Sequence, residues 1–372
     1  MTRPRGLLPT FPTRHDKEIL WASAPGLSEA TGHWQRWLAE ADLNDVDAAS
    51  FGLLPLVYQN LARENYSGRE LGKLKGIYRQ AWYRTRLIEQ LTEQLMGELG
   101  DEAHPILFGD PAVARWAVTK TVGRPVDSAK VLVPAGRVIP VLDRACQLGW
   151  TLSNGDYPDL ELHGSKALVR DGGLKVGIHW YLGGRHAYAG PDDPYWISAV
   201  GGWRGDPHLK TLSAADQLLS TLMLGFEPPP ELALRWIVDA LALIGQAGER
   251  VDWDRLSVRA EDMGQALAVA DTLRVLSAFA PEQIPSIVIG RLGDSPLTTK
   301  AAHWVRRRSL PSYPWRRIPA SWLGYRHRRV AVGQRANPVA FARSLIAGRK
   351  AVSSSSANGS RGRTANHPGP DA

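Results

Sequence analysis

The sequence predicts an α+β protein in which a small mixed sheet is flanked by an N-terminal helical region and a C-terminal helical half. Apolar residues recur with helical spacing over much of residues 15–100, whereas short apolar or alternating segments are confined to residues 103–182. Helical spacing returns after Ser213, which can cap a helix over 214–224. With 372 residues, 44% of them apolar, the chain is long enough to bury cores of substantial size.

Changes of pattern along the chain predict five parts. Their boundaries follow the breaks between helical, alternating and low-complexity sequence. The predicted parts are an N-terminal helical region at 1–100, an α/β core at 101–190, a C-terminal helical region at 191–295, a basic extension rich in Trp and Arg at 296–350, and a disordered tail at 351–372.

The predicted sheet has the order strand, turn, helix, strand, helix, strand, strand. Its first strand is short and apolar and ends at a turn glycine, Gly109. The segment 183–210, rich in Gly, Pro and Asp, is predicted to be a loop. The predicted elements are a strand at 105–108, a helix at 112–118, a strand that includes Asp127, a helix at 136–150, and alternating segments at 159–162 and 174–182.

The strand around Asp127 has the form of a two-metal strand from which one carboxylate is missing. Side chains at i and i+2 of a strand project from the same face, so two carboxylates at this spacing can hold a pair of divalent cations. Such a pair of cations stabilises the attacking and leaving oxygens of a phosphoryl group during in-line displacement. Here position i is Asp127 and position i+2 is Ala129, whose methyl group binds no metal.

The ordered series of segments resembles the polymerase-beta-like nucleotidyltransferases, and within them the uncharacterised nucleotidyltransferase family. The resemblance covers most of the first 290 residues. In that family a Leu-Lys-Gly turn precedes an Arg-Pro-x-x-Asp-x-Asp strand, and a third strand carries an acidic residue two places before a His-Trp pair. The positions retained here are Gly109, Arg124, Pro125, Asp127, His179 and Trp180.

Three polar positions of the family pattern are lost on this mapping. The turn lysine falls on Phe108, the second aspartate on Ala129 and the third acidic residue on Gly177. Losing two of three carboxylates removes most of the charge stabilisation on which phosphoryl transfer depends. We therefore expect a degenerate, non-catalytic family member, a pseudoenzyme with a binding or scaffold role.

The alternative is an active enzyme, and the sequence does not decide between the two. The resemblance implies that an active member transfers a nucleoside monophosphate from a nucleoside triphosphate to a small molecule or a peptide, with magnesium as cofactor. It also implies Asp127 as the metal ligand and catalytic residue, and Gly109, Arg124 and His179 as nucleotide-binding residues. Without activity, no cofactor is expected.

Three side chains need separate interpretation. On its strand His179 faces away from the apolar residues. It could bind a phosphate, orient Asp127, or hold the strand against the helical half. We favour the last of these, a structural role. Asp110 in the turn, or Glu161 on the neighbouring strand, could replace a lost carboxylate. Magnesium-dependent turnover that Asp110→Ala abolishes would be needed to support such a replacement.

Positive charge is concentrated at the end of the chain. The net charge is +8, and residues 295–370 contain fifteen Lys and Arg but no Asp or Glu. Tryptophan, tyrosine and arginine alternate there, which fits packing against the body, contact with an anionic membrane surface or an acidic protein, or nucleic-acid binding. The single cysteine, Cys146, is interpreted as a core residue. No apolar segment is long enough to cross a bilayer. We therefore expect a cytoplasmic protein, with peripheral membrane association as an option.

Overall fold

A computed structural model describes most of the first 294 residues and a few near the end. The described residues are 12–24, 29–116, 124–126, 128–153, 157, 164–170, 174–182, 193–225, 233–247, 251–263, 265–294, 337–339 and 342. The chain divides into two compact units, residues 1–313 and residues 314–372. The predictions for the basic extension and the disordered tail fall almost wholly outside the described residues, and they stay predictions.

Helices form the described N-terminal part, as predicted. Thr13 begins the first helix with a capping box, because its side chain accepts the Asp16 amide while the Asp16 carboxylate accepts the Thr13 amide. The last helix of this part has 29 residues. The helices are α1 (Arg14–Ser23), α2 (Ala30–Leu38), α3 (Ala48–Phe51), α4 (Leu54–Arg63) and α5 (Leu71–Leu99).

A mixed six-stranded sheet follows, which confirms the α+β class. Its strand order is β3-β4-β5-β2-β1-β6, with β2 antiparallel to β1 and parallel to β5. The strands β3, β4 and β6 were not predicted, and β3 and β6 have only two residues each. The predicted strand at 159–162 lies outside the described residues. The strands are β1 (Ile106–Phe108), β2 (Ala129–Leu132), β3 (Thr151–Leu152), β4 (Ser165–Arg170), β5 (Leu174–His179) and β6 (Lys210–Thr211).

Some of the remaining helices contact the strands, and the others build the C-terminal half. Ser213 caps α9 by accepting the Asp216 amide, as the sequence predicted. A short helix, α8, lies within the segment predicted to be a loop. The helices are α6 (Asp110–Trp116), α7 (Val138–Gln147), α8 (Pro194–Ser198), α9 (Ala214–Leu224), α10 (Arg235–Ala247), α11 (Trp253–Asp262), α12 (Ala266–Ser277) and α13 (Ser286–Gly293).

The hydrophobic interior joins regions that are distant in sequence. One cluster contains side chains from both the N-terminal helices and the C-terminal helices, among them Trp34, Leu61, Leu218 and Leu273. The two predicted helical regions therefore share a core. The sheet has apolar residues on both faces, with Val131, Val176 and Ile178 in a cluster on one side and Ile106, Phe108 and Leu132 in a cluster on the other. Within the described part of the chain, the helices are too short or too polar to cross a membrane.

Candidate functional site

Gly109 forms the turn between β1 and α6. Its φ of 73° lies in the left-handed region, which glycine adopts without the steric cost that a side chain brings. A Cβ at this position would also lie 3.2 Å from Cδ of Lys130, so the lysine stem packs directly over the turn. Both the backbone conformation and the contact with Lys130 therefore favour glycine at this predicted site residue. The sequence analysis did not single out Lys130.

The strand register brings four residues to one face of the sheet. Phe108 pairs with Lys130 across β1 and β2, and Lys130 pairs with Gly177 across β2 and β5. Directly paired residues project to the same side of a sheet, and alternation places His179 on the side of Gly177. We call Phe108, Lys130, Gly177 and His179 the site face.

Ala129 lies on the opposite face of the sheet. It pairs with Val176, is fully buried, and packs in the cluster that contains Val131 and Ile178. The expectation that Ala129 and Gly177 mark two acidic positions of one metal site is therefore wrong, because side chains at these positions point in opposite directions. The residue of β2 that shares a face with Gly177 is Lys130.

Gly177 leaves space on the site face that His179 occupies. A Cβ built on Gly177 would lie 2.8 Å from Nε2 of His179 and 3.2 Å from its Cδ2. An acidic side chain at this position therefore requires the imidazole ring to move. His179 can occupy its position because residue 177 has no side chain.

The imidazole of His179 is partly buried against an aromatic ring. Its centroid lies 5.1 Å from that of Phe108, in an edge-to-face arrangement. Burial and the positive charge of Lys130 lower the pKa of His179 to about 3, so the ring is neutral near pH 7. The structure places His179 on the site face, and the prediction that it contacts a nucleotide stays a prediction.

Lys130 is the cation of the site face. Its Nζ lies 5.9 Å from the centroid of the Phe108 ring, within the range of a cation–π contact. Burial lowers the pKa of Lys130, an effect that the nearby Asp110 opposes and Arg235 reinforces. The turn lysine that the family resemblance implies at position 108 is thus absent, while a lysine stands on the paired position of the next strand.

A buried ionic network lies next to the site face and is centred on Asp110. One carboxylate oxygen of Asp110 accepts a hydrogen bond from Arg124 at 3.1 Å, and the other accepts one from Arg235 at 2.8 Å. Burial acts to raise the pKa of the Asp110 carboxyl, but the neighbouring cations hold it well below its usual range. Asp110 is therefore ionised and engaged with two arginines.

The network continues from Arg124 to the C-terminal half. Arg124 donates from Nε and Nη2 to the two oxygens of Asp239, at 2.7 and 2.5 Å, and from Nη1 to the carbonyl of Asp110 at 2.8 Å. Burial acts to lower the pKa of Arg124, and the two aspartates raise it. This bidentate contact joins the segment before β2 to α10.

Arg124 was predicted to bind a nucleotide, and the structure instead shows its guanidinium among protein partners. It is 5% exposed. Its backbone is also fixed, because Thr85 on α5 donates to the Arg124 carbonyl at 3.3 Å and accepts the Val126 amide at 3.0 Å. Asp127, the predicted metal ligand, and Glu161 lie outside the described residues.

Sequence reasoning missed Lys130, Arg235 and Asp239. A signal for the last two was present, since a charged pair at i and i+4 inside the apolar helix α10 indicates a buried ionic contact. The signal for Lys130 was a charged residue in the middle of an apolar strand. Among the described residues there is no group of three or more His, Cys, Asp or Glu that could hold a metal ion.

The glycine turn and the paired strands of the site face lie in one compact unit. A family model described as uncharacterised nucleotidyltransferase matches residues 47–281, and the chain belongs to this family. The match includes the sheet, the site face and the helix that carries Asp239. No protein of curated function and no solved structure matches the chain.

We expect His179 to make the folded protein less stable as the pH falls below 6.5. The unfolded chain binds a proton near pH 6.5, whereas the folded ring does so near pH 3, so the free energy of unfolding decreases across that window. His179→Gln should reduce this pH dependence by up to about 1 kcal/mol per pH unit, measured by urea unfolding at pH 7.5, 6.5 and 5.5. The exposed His208 provides a control as His208→Gln, and equal slopes in the two variants would contradict the assignment.

Proposed function

We propose that this nucleotidyltransferase-family protein is non-catalytic and that it keeps the site face for binding. The observation that carries the proposal is the cross-strand pair of Lys130 and Gly177, because an ammonium group and an absent side chain stand where two carboxylates are needed. A fixed positive charge repels a divalent cation, so the pair disfavours a magnesium site.

The family pattern supports the same assignment of positions. Counted from Arg124 and Pro125, the spacing Arg-Pro-x-x-Asp-x-Asp puts its aspartates at positions 128 and 130, which are Ser128 and Lys130 in this chain. Position 130 is also the one that pairs with Gly177. On this assignment all three acidic residues of the pattern are replaced, and Asp127 stands one place before the first of them.

The lost carboxylates matter because phosphoryl transfer relies on positioning and charge stabilisation more than on covalent chemistry. Divalent cations neutralise the charge that develops on the transferred group, and carboxylates hold those cations in place. Without them the site lacks the main source of transition-state stabilisation.

Asp110 is poorly suited to replace a lost carboxylate. Both of its oxygens accept hydrogen bonds from arginines, and it lies in a buried network. Releasing one oxygen for a cation would remove a hydrogen bond from a buried guanidinium and bring a further positive charge next to Arg124 and Arg235. This cost favours the structural role of Asp110.

The test is a calorimetric titration of the full chain with ATP, GTP, CTP and UTP, each with and without magnesium. We expect magnesium not to strengthen the binding of any of the four nucleotides. The active alternative predicts magnesium-dependent binding that Asp127→Asn abolishes, and that result would overturn the proposal.

A further inference from the structure

We propose that the site face binds a phosphate-class anion without a divalent cation, with the Lys130 ammonium as the counter-charge and the neutral His179 imidazole as a hydrogen-bonding partner. This proposal rests on the proposed loss of the metal site, since a lysine at position 130 supplies the positive charge that a bound cation would otherwise provide. The bound group is identified by its charge and its acceptor oxygens.

The Lys130 ammonium is available to an anion. Among the described residues it makes no hydrogen bond and no ion pair, and its recorded interactions are the contact with the Phe108 ring and longer-range effects of Asp110 and Arg235. A partly buried ammonium without an acceptor is costly, because the protein replaces none of the water that it loses. An anionic ligand would supply the missing acceptors.

His179 offers a second polar group on the same face. Its ring nitrogens have no hydrogen-bond partner among the residues that the structure describes, and the ring packs against that of Phe108 in an edge-to-face arrangement. With its pKa lowered to about 3 the imidazole carries one N–H donor at neutral pH, and this donor can bind a phosphate oxygen. The ring lies over Gly177, beside the position of Lys130 on the neighbouring strand.

The neighbouring acid does not neutralise Lys130 by direct contact. The two oxygens of Asp110 are directed to Arg124 and Arg235, and the bidentate contact of Asp239 is also with Arg124. The carboxylates of the network are thus bonded to guanidinium groups, and the ammonium is left with only their longer-range field. The local electrostatics favour an anion at the site face.

The experiment is a calorimetric titration of the full chain with inorganic phosphate, tripolyphosphate and ATP, in buffer that contains EDTA. We expect binding of all three probes, with affinity rising from phosphate to tripolyphosphate. ATP that binds like tripolyphosphate indicates recognition of the phosphate chain alone, whereas tighter binding of ATP indicates that the nucleoside is recognised as well. Both outcomes support the anion site.

Two variants of Lys130 and one control locate the site. Lys130→Met should weaken tripolyphosphate binding by about tenfold or more, because a charge-assisted hydrogen bond is lost, while Lys130→Arg should keep most of the affinity. Lys166→Met removes the same charge from the opposite face of the sheet, since Lys166 pairs with Ile178, and should leave the affinity unchanged. Circular dichroism of each variant checks that it is folded.

Two results would overturn the proposal. One is the absence of any binding to the wild-type chain in EDTA, and the other is an equal loss of affinity in Lys130→Met and Lys166→Met. Neither result restores the metal site, so the non-catalytic proposal would stand. Magnesium-dependent binding that requires Asp127 would instead remove the proposed function, and the two failures are therefore distinguishable.

Discussion

Asp239→Ala is expected to destabilise the folded protein by about 3–5 kcal/mol, because it leaves the buried guanidinium of Arg124 without its bidentate partner. The two hydrogen bonds from Arg124 to Asp239 are 2.7 and 2.5 Å long, and both side chains are at least nine-tenths buried. The measurement is the free energy of unfolding from urea titration, with the change in midpoint taken at constant slope.

The control for this prediction is an exposed ion pair. Asp254, 94% exposed, bonds Arg291 at 3.2 Å, and Asp254→Ala should change the free energy of unfolding by less than about 1 kcal/mol. The double variant Arg124→Met/Asp239→Leu should recover part of the loss, because it removes both charges from the interior. A loss below about 1 kcal/mol in Asp239→Ala would show that the network is not buried as described.

Ala129→Asp is expected to cost at least about 3 kcal/mol, and Lys130→Asp, one position further along the strand, considerably less. Ala129 is fully buried among apolar side chains, where a carboxylate finds no partner, whereas position 130 is partly exposed and lies near Arg235 as well as Asp110. Thermal and urea unfolding of the two variants measures the difference.

This comparison also tests which strand position faces the site. If Ala129→Asp is tolerated and Lys130→Asp unfolds the protein, the register of β2 against β5 is not as described, and the assignment of the site face fails. If Ala129→Asp is the more destabilising variant, as we expect, position 130 is the one that lies beside Gly177, as the family pattern requires.

Much of the fold could be predicted from local pattern. The helix capped by Ser213, the turn at Gly109 and the strand that ends at His179 each have a local signal in spacing or residue type. The short strands β3 and β6 have two residues each, too few for an alternating pattern to be visible. Their positions depend on pairing with strands elsewhere in the chain.

The site was harder to predict for two physical reasons. A one-residue shift along a strand moves every side chain to the other face, so counting from Asp127 directed attention to Ala129 and away from Lys130. The ionic network could not be predicted from spacing, because 115 residues separate Arg124 from Asp239 and only the packing of α10 brings them together. For the same reason, the sequence did not predict that the guanidinium of Arg124 bonds to carboxylates of the protein.

The central claim is that a lysine has replaced the metal site, and the magnesium dependence of ATP binding tests it most directly. Wild-type protein and Asp127→Asn should bind ATP with equal affinity, and adding magnesium should not strengthen binding to either. Binding to the wild type that strengthens with magnesium, and that Asp127→Asn abolishes, would contradict the account and show that the chain retains a metal site.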